Sequence, residues 1–146
     1  MRIAVASDHA GFVLKGAIAE YLAEAGHEVV DLGTDSTNSV DYPDFGEAIG
    51  RAVVNDEADR GIAVCGSGIG ICIAANKVAG VRAATVHDVT SARLTRLHND
   101  ANIACLGERF TGVQTALDAV DVFIATDFEG GRHARRVNKI ADIAPS

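Results

Sequence analysis

The segment Gly61-Ile62-Ala63-Val64-Cys65-Gly66-Ser67-Gly68-Ile69-Gly70 decides the fold of this chain. Its first four residues form a short apolar run that is typical of a buried strand. Three glycines at alternate positions follow, and residues 69–78 have the pattern of a helix. A strand that passes through a glycine-rich turn into a helix exposes free backbone N–H groups at a positive dipole end. The segment therefore predicts a strand–turn–helix unit whose turn suits an anionic ligand or a developing oxyanion.

Strand and helix patterns alternate along the chain on both sides of this unit. Short apolar runs predict five strands, over residues 3–6, 27–32, 61–65, 81–86 and 102–106. Apolar stripes at helical spacing predict six helices, over residues 12–25, 45–53, 69–78, 90–97, 112–126 and 132–143. We therefore expect a single α/β domain, residues 1–146, with a doubly wound, Rossmann-like sheet of five parallel strands flanked by helices.

Composition and charge narrow the range of partners. The formal net charge of −7 at pH 7 argues against a general nucleic-acid or anionic-membrane surface. No apolar run approaches the roughly 18 residues of a membrane span, and residues 1–5 lead into a strand pattern without a signal-peptide layout. Three cysteines without framework spacing indicate a reduced, cytoplasmic protein. We expect neither nucleic acid nor a membrane among its partners.

Familiar glycine motifs do not fit this turn. A P-loop would need Lys-Ser or Lys-Thr directly after Gly70, and a cysteine-dependent phosphatase would need an arginine between Cys65 and Arg82; the sequence has neither. The dinucleotide fingerprint is one residue longer, although Asp88 lies roughly 20 residues on, where a ribose-binding acid is expected. A nucleotide-binding module therefore stays an alternative, as does a turn whose glycines serve only the backbone conformation.

Cys65 is the candidate reactive group of the turn. It stands at a strand end and faces a helix N-terminus, a location that makes a thiol more acidic and exposes the thiolate. We therefore expect a base or a nucleophile at this position. Cys72 and Cys105 lie within apolar segments, and we assign both to the core.

Polar residues at other element ends are further candidates. Ligands bind parallel α/β sheets at the carboxyl ends of the strands, and Asp8 and His9 follow the first strand, next to the third. The alternative for this pair is a helix cap with a solvated histidine. His98 and Asn99 end the fourth helix, where polar residues are also favoured without any function.

Three arginines late in the chain are candidates for binding a phosphate. Arg132 and Arg136 are four residues apart and share one helix face, and Arg109 follows the fifth strand. Converging on one cleft, they would hold a phosphate through charge-assisted hydrogen bonds; the alternative is a solvated basic face. The candidate metal ligands are scattered without a metal-binding pattern, so we expect no metal and no other cofactor.

Motifs along almost the whole chain resemble one known family. They are Ser7-Asp8-His9-Ala10-Gly11-Phe12 with Leu14-Lys15, Asp41-Tyr42-Pro43, the Cys65–Gly70 turn with Ala74-Ala75-Asn76-Lys77, His98-Asn99-Asp100-Ala101-Asn102, and Glu129-Gly130-Gly131-Arg132-His133 with Arg136. In this order, the motifs are similar to those of ribose-5-phosphate isomerase type B, a group that also contains the galactose-6-phosphate isomerase subunits. The resemblance runs from residue 3 to about residue 143.

The resemblance implies an aldose–ketose isomerase that interconverts ribose 5-phosphate and ribulose 5-phosphate. Cys65 resembles the base that moves the proton between two substrate carbons, and His98 resembles the acid that opens the sugar ring. Ser67 stands where the family has Thr or Ser assisting the first step. The backbone of the turn resembles the anion hole for the enediolate, formed by Gly66, Gly68, Ile69 and Gly70.

The remaining implied residues bind the substrate. Contacts to sugar hydroxyls fall on Asp8, His9 and Asn99, phosphate contacts fall on Arg109, Arg132 and Arg136, and Tyr42 lines the site. Family members are dimers or tetramers whose sites take residues from two subunits, so the last helix is expected to dock on a partner chain.

One departure and one alternative bear on this interpretation. Some members use a Glu base one turn further on, where this chain has Ile71, so Cys65 places it in the thiol-base branch. Ser7 replaces the Cys that many members have, with little expected effect. A six-carbon sugar phosphate, allose 6-phosphate or galactose 6-phosphate, stays open as the substrate.

Overall fold

Five parallel strands form the centre of the fold, as the alternating pattern predicts. The computed structural model describes residues 1–143, and the last three residues of the predicted domain lie outside them. The strands are β1 (Arg2–Ser7), β2 (Glu28–Asp31), β3 (Arg60–Cys65), β4 (Ala83–Thr85) and β5 (Ile103–Gly107). Their spatial order is β2-β1-β3-β5-β4, and every neighbouring pair is parallel. The order places β3, with its glycine turn, at the centre of the sheet.

Helices cover both faces of the sheet. They are α1 (Phe12–Glu24), α2 (Tyr42–Val54), α3 (Ile69–Ala75), α4 (Val89–Asn99), α5 (Val113–Ala125) and α6 (Arg132–Ala141). Apolar residues of α1, α4 and α5 pack on one face, and those of α2 and α3 pack on the other. No helix among residues 1–143 has both the length and the apolar character to cross a membrane.

Strand β3 supplies both hydrophobic cores because its side chains alternate. Ile62 and Val64 belong to the core under α1, α4 and α5, whereas Ala63 and Cys65 belong to the core under α2 and α3. Both faces of a doubly wound sheet are buried, so a central strand is apolar throughout. This explains why the decisive segment contains no polar residue before its glycine turn.

Two helix ends differ by three residues from the sequence-based expectation. Helix α2 begins at Tyr42, three residues before the predicted start, because Pro43 is well suited to a first helical turn. Helix α3 ends at Ala75, three residues before the predicted end. There the side chain of Asn76 turns to the edge strand β4, donating to the carbonyl of Ala83 (2.9 Å) and accepting from its N–H (2.8 Å). The amide thus covers an edge that is otherwise open to pairing.

A buried arginine fixes the end of α4 against the segment after α5. Arg96 is 2% exposed, and its guanidinium contacts a carboxylate oxygen of Asp100 at 2.9 Å. It also donates to the carbonyl groups of Ala101 (2.6 Å) and Thr126 (3.0 Å). These bonds join the C-terminus of α4 to the chain that leads into α6.

Replacing this arginine tests its structural role. We expect Arg96→Ala to lower the free energy of unfolding by about 3 kcal/mol, because the change leaves buried carbonyl groups without donors. Arg93→Ala, on the exposed side of the same helix, should change it by less than about 0.5 kcal/mol. Urea unfolding at one fixed protein concentration measures both, and equal midpoints for the two variants would contradict the assignment.

Candidate active site

The glycine turn holds the sulfur of Cys65 by a backbone hydrogen bond. Cys65 is the last residue of β3, and its Sγ accepts the N–H of Gly68 at 3.1 Å. The side chain is 4% exposed, so the expectation of an exposed thiol is wrong for the isolated chain. The N–H of Ile69 donates to Ser67 Oγ at 3.2 Å. Within residues 1–143, the N–H groups of Gly66 and Ser67 have no acceptor, which leaves them available to an anion.

Two glycines are required because the turn lies directly against β5. A Cβ atom on Gly107 would lie 2.5 Å from the carbonyl carbon and oxygen of Ser67. A Cβ atom on Gly68 would lie 2.7 Å from the carbonyl carbon of Leu106, and Gly68 has φ +74°. Contacts this short exclude any side chain. The close approach therefore determines where the turn, and with it Cys65, sits.

Tyr42 and Arg109 also lie against the turn. A Cβ atom on Gly70 would lie 2.6 Å from the ring of Tyr42, and one on Gly66 would lie 3.3 Å from the guanidinium carbon of Arg109. Residue 42 begins α2 and residue 109 follows β5, so two different elements bring them to the turn. Both were predicted for the site, and the structure brings both to the turn that follows Cys65.

Asp8 and His9 lie at the same edge of the sheet. The N–H of Asp8 donates to the carbonyl of Val64 at 3.3 Å, beside the turn. One carboxylate oxygen of Asp8 caps a single turn of 3-10 helix by accepting the N–H of Gly11 at 3.1 Å, as the capping alternative predicts. The Nδ1 of His9 accepts the N–H of Val40 at 3.1 Å, which assigns the ring proton to Nε2. His9 is therefore positioned as a hydrogen-bond donor.

A buried lysine anchors the loop that holds His9. The ammonium group of Lys15 contacts a carboxylate oxygen of Asp31 at 2.8 Å and the carbonyl of Thr34 at 2.7 Å. Both bonds fix the chain where it leaves β2 and enters the loop to Val40. Lys15 of the first motif thus helps to fix the loop whose Val40 N–H binds His9.

The other predicted residues lie at the opposite edge of the sheet. Helix α4 starts after the carboxyl end of β4 and runs back, so His98 and Asn99 reach the amino end of β5, where Asn102 Oδ1 accepts the N–H of Arg82 at 2.8 Å. Cys65 pairs with Gly107 at the far end of that strand. The strand separates the two ends by about 13 Å, since each residue adds about 3.3 Å. One chain therefore does not bring His98 to Cys65.

Helix α6 carries Arg132 and Arg136 at the edge where His98 lies. Both arginines are exposed, and a guanidinium nitrogen of Arg136 contacts the carbonyl of Arg132 at 3.4 Å, which confirms that they share a helix face. Among residues 1–143, neither they nor Arg109 form an ion pair with a carboxylate. Their charges are available to a ligand, but the single chain does not gather all three arginines.

A cluster of two histidines and a glutamate lies at this edge and is not among the sequence-based predictions. The rings of His98 and His133 stack with centroids 4.3 Å apart and planes at 16°. Oε2 of Glu129 lies 3.4 Å from Nε2 of His133 and 4.0 Å from Nε2 of His98. Burial lowers the pKa of His133 below its ordinary value, and the neighbouring His98 lowers it further. The four-residue spacing of Glu129 and His133 was the available signal, and the assumption of scattered metal ligands is wrong for this trio.

Comparison with known proteins identifies the family. The sequence model of the Ribose/Galactose Isomerase family matches residues 3–140. The chain belongs to this family. It is 45% identical to ribose-5-phosphate isomerase B of Escherichia coli over 142 residues, which cover 97% of this chain and 95% of the relative.

Solved structures of the family superpose closely on the chain. Ribose-5-phosphate isomerase B of Clostridium thermocellum matches with a TM-score of 0.96 and 54% identity, covering 97% of this chain and 96% of that one. Ribose-5-phosphate isomerase B of Mycoplasma genitalium, solved with bound ribulose 5-phosphate, matches with a TM-score of 0.91 and 45% identity over 96% and 93% of the two chains. The resemblance inferred from the motifs is confirmed.

The contact between β5 and the turn can be tested by adding a methyl group. We expect Gly107→Ala to push the turn away from β5, to cost about 1–3 kcal/mol of stability, and to expose Cys65 to thiol reagents. Gly112→Ala is the matched control because its Cβ atom would have no neighbour within 4 Å. Iodoacetamide labelling followed by peptide mass mapping measures the rate at Cys65. If Gly107→Ala has the same labelling rate at Cys65 and the same free energy of unfolding as the wild-type protein, the turn does not depend on this contact.

Proposed function

We propose that the protein interconverts ribose 5-phosphate and ribulose 5-phosphate by aldose–ketose isomerisation through an enediolate. The observation that carries the proposal is the cysteine at the glycine turn, in a chain that belongs to the Ribose/Galactose Isomerase family over residues 3–140. Relatives that match almost end to end bear the name ribose-5-phosphate isomerase B. One of them was solved with ribulose 5-phosphate, a product of this reaction, bound.

Cys65 acts as the base in the proposed mechanism. Its thiolate removes the proton from C2 of the open-chain aldose and returns it to C1, while the C1 carbonyl becomes a hydroxyl and the C2 hydroxyl becomes the ketone. Negative charge develops on oxygen in the intermediate, and the N–H groups of Gly66 and Ser67 are available to receive it. One preorganised donor of this kind contributes roughly 3 kcal/mol to catalysis. Neither a metal nor another cofactor is required.

His98 opens the sugar ring, and arginines hold the phosphate. The phosphate does not react, so its binding energy serves to position C1 and C2 at Cys65. The absence of an ion pair at Arg109, Arg132 and Arg136 among the described residues supports this assignment, because a carboxylate would compete with the phosphate. Asp8, His9, Tyr42 and Asn99 complete the set of sugar contacts.

The separation of the two residue groups supports a shared active site. A two-fold homodimer gives each chain both roles, so that one chain supplies the turn with Cys65 and its partner supplies His98, Asn99 and helix α6. Exposed apolar side chains near the turn, those of Ile69, Phe110 and Val113, support coverage by a partner. A tetramer made of two such dimers keeps this pairing unchanged. The three free thiols support a reducing, cytoplasmic compartment.

The reaction and its substrate can be tested together. We expect kcat/KM for ribose 5-phosphate to exceed that for allose 6-phosphate and galactose 6-phosphate by at least about tenfold, because the one extra carbon must displace groups that hold the phosphate. Cys65→Ala should lose deuterium exchange at C2 while still binding the sugar phosphate, and Cys72→Ala, a core thiol of equal size, should retain activity. A higher kcat/KM for a six-carbon sugar phosphate would contradict ribose 5-phosphate as the substrate. Deuterium exchange at C2 in Cys65→Ala would contradict the assignment of Cys65 as the base.

Mixing two inactive variants tests the shared site. Cys65→Ala and His98→Asn each damage every site of their own homodimer. A random mixture contains half mixed dimers, each with one intact site, so roughly a quarter of the wild-type activity should return after subunit exchange.

The control for this experiment uses two changes in the same residue group. His98→Asn mixed with Arg132→Ala leaves one defect in every site, so activity should not rise above the mean of the two variants. A first mixture that remains inactive after verified subunit exchange would locate both residues in a site within one chain.

A further inference from the structure

We propose that His98, Glu129 and His133 form a binding site for a divalent transition metal, with Zn²⁺ as the expected ion, and that occupancy of this site inhibits the isomerase. The ligand atoms of the three side chains all lie within 4.8 Å of one another. Metal binding stands independently of the proposed function, whereas inhibition rests on it through His98.

The spacing of the trio is close to that of a zinc site. Bonds of about 2.0–2.2 Å in a tetrahedral site put neighbouring ligand atoms about 3.3–3.5 Å apart. The 3.4 Å contact of His133 Nε2 with Glu129 Oε2 already has this length. The 4.0 Å contact of His98 Nε2 with Glu129 Oε2 must close by about 0.6 Å. The ligand atoms of the two histidines lie within 4.8 Å of each other and must close by up to about 1.4 Å. The histidine rings are nearly parallel, so His98 must also rotate to aim its lone pair at the ion. His98 and Glu129 are partly exposed and can make this movement.

The chemistry of the donors fits the same class of ion. Two imidazoles and one carboxylate are ligands that Zn²⁺ accepts readily, with a fourth position left for water. His133 is 7% exposed, and its Nε2 is buried without a hydrogen-bond partner among the described residues. An orphaned nitrogen of this kind requires an explanation, and a metal ion would provide its missing partner.

Nearby charges limit the affinity of the site. Arg132 and Arg136 act on His133 as like charges and oppose a cation, while the carboxylate of Glu129 attracts it. The site has one negative ligand against two positive neighbours, so we expect binding in the micromolar rather than the nanomolar range. A bound ion would occupy Nε2 of His98, and the residue could no longer deliver a proton from that atom to the sugar ring.

Cobalt provides a direct readout of binding without any substrate. Titration of the full-length protein with Co²⁺ should produce the visible d–d bands of a four-coordinate site, and Zn²⁺ should displace them. Glu129→Gln and His133→Asn should each weaken the Co²⁺ affinity by at least about tenfold, because each removes one of three ligands. Glu129→Gln changes an exposed residue, so it reports on the site even if His133→Asn destabilises the protein.

Thiols are the competing explanation, because cysteine binds the same metals. Cys65→Ser should leave the Co²⁺ titration unchanged, and no thiolate-to-cobalt charge-transfer band should appear in the near ultraviolet. A charge-transfer band that disappears in Cys65→Ser would contradict the proposed site. Co²⁺ affinities equal to that of the wild-type protein in both Glu129→Gln and His133→Asn would also contradict it.

The activity assay separates inhibition from the proposed reaction. Zn²⁺ should inhibit the wild-type isomerase, EDTA should restore it, and Glu129→Gln should be active and at least about tenfold less sensitive to Zn²⁺. Metal binding without inhibition would overturn the second half of the proposal while the site stands. Metal binding by a protein with no isomerase activity would remove the proposed function and leave the metal site supported.

Discussion

The contact between the glycine turn and β5 is the constraint on which the rest of the structure depends. Ser67 lies where a side chain on Gly107 would have to be, so the turn and the central strands meet without any intervening atom. This contact fixes the position of Gly68, whose N–H holds the sulfur of Cys65. Because the turn packs directly against the backbone of β5, displacing it would open a void beside the sheet and is unfavourable. The strand–turn–helix unit is therefore rigid where a base and an anion hole would need to be rigid.

The parallel sheet holds the two groups of proposed site residues at opposite edges of a single chain. Each helix returns the chain to the amino edge, so residues that follow strands and residues that end helices are separated by the length of the sheet. Cys65 belongs to the first class and His98 to the second. A second copy related by two-fold symmetry is the simplest arrangement that joins the two classes, because it places the helix end of one chain at the strand end of the other. The assembly therefore follows from the proposed joint action of Cys65 and His98, together with their separation in one chain.

The sequence predicts the elements well because their signals are local. The apolar runs locate all five strands, and the glycines of residues 66–70 identify the turn. The end of α3 at Ala75 was missed because it depends on Asn76 covering the edge strand, which is a contact between elements. The burial of Cys65 was missed because it depends on packing under α2 and α3. The pair of His98 and His133 was missed because it depends on the path of the chain between α5 and α6.

The balance of charge around His133 determines what this edge of the sheet can bind. Burial and the neighbouring His98 lower the pKa of His133, Glu129 raises it, and Arg132 and Arg136 lower it further. The same arginines attract an anion, so one set of charges serves phosphate binding and cation exclusion together. A bound phosphate would neutralise part of this positive field and thereby raise the affinity of the trio for a cation. If both proposals hold, the arginines assigned to the phosphate also influence metal affinity, so changing either arginine should alter both properties.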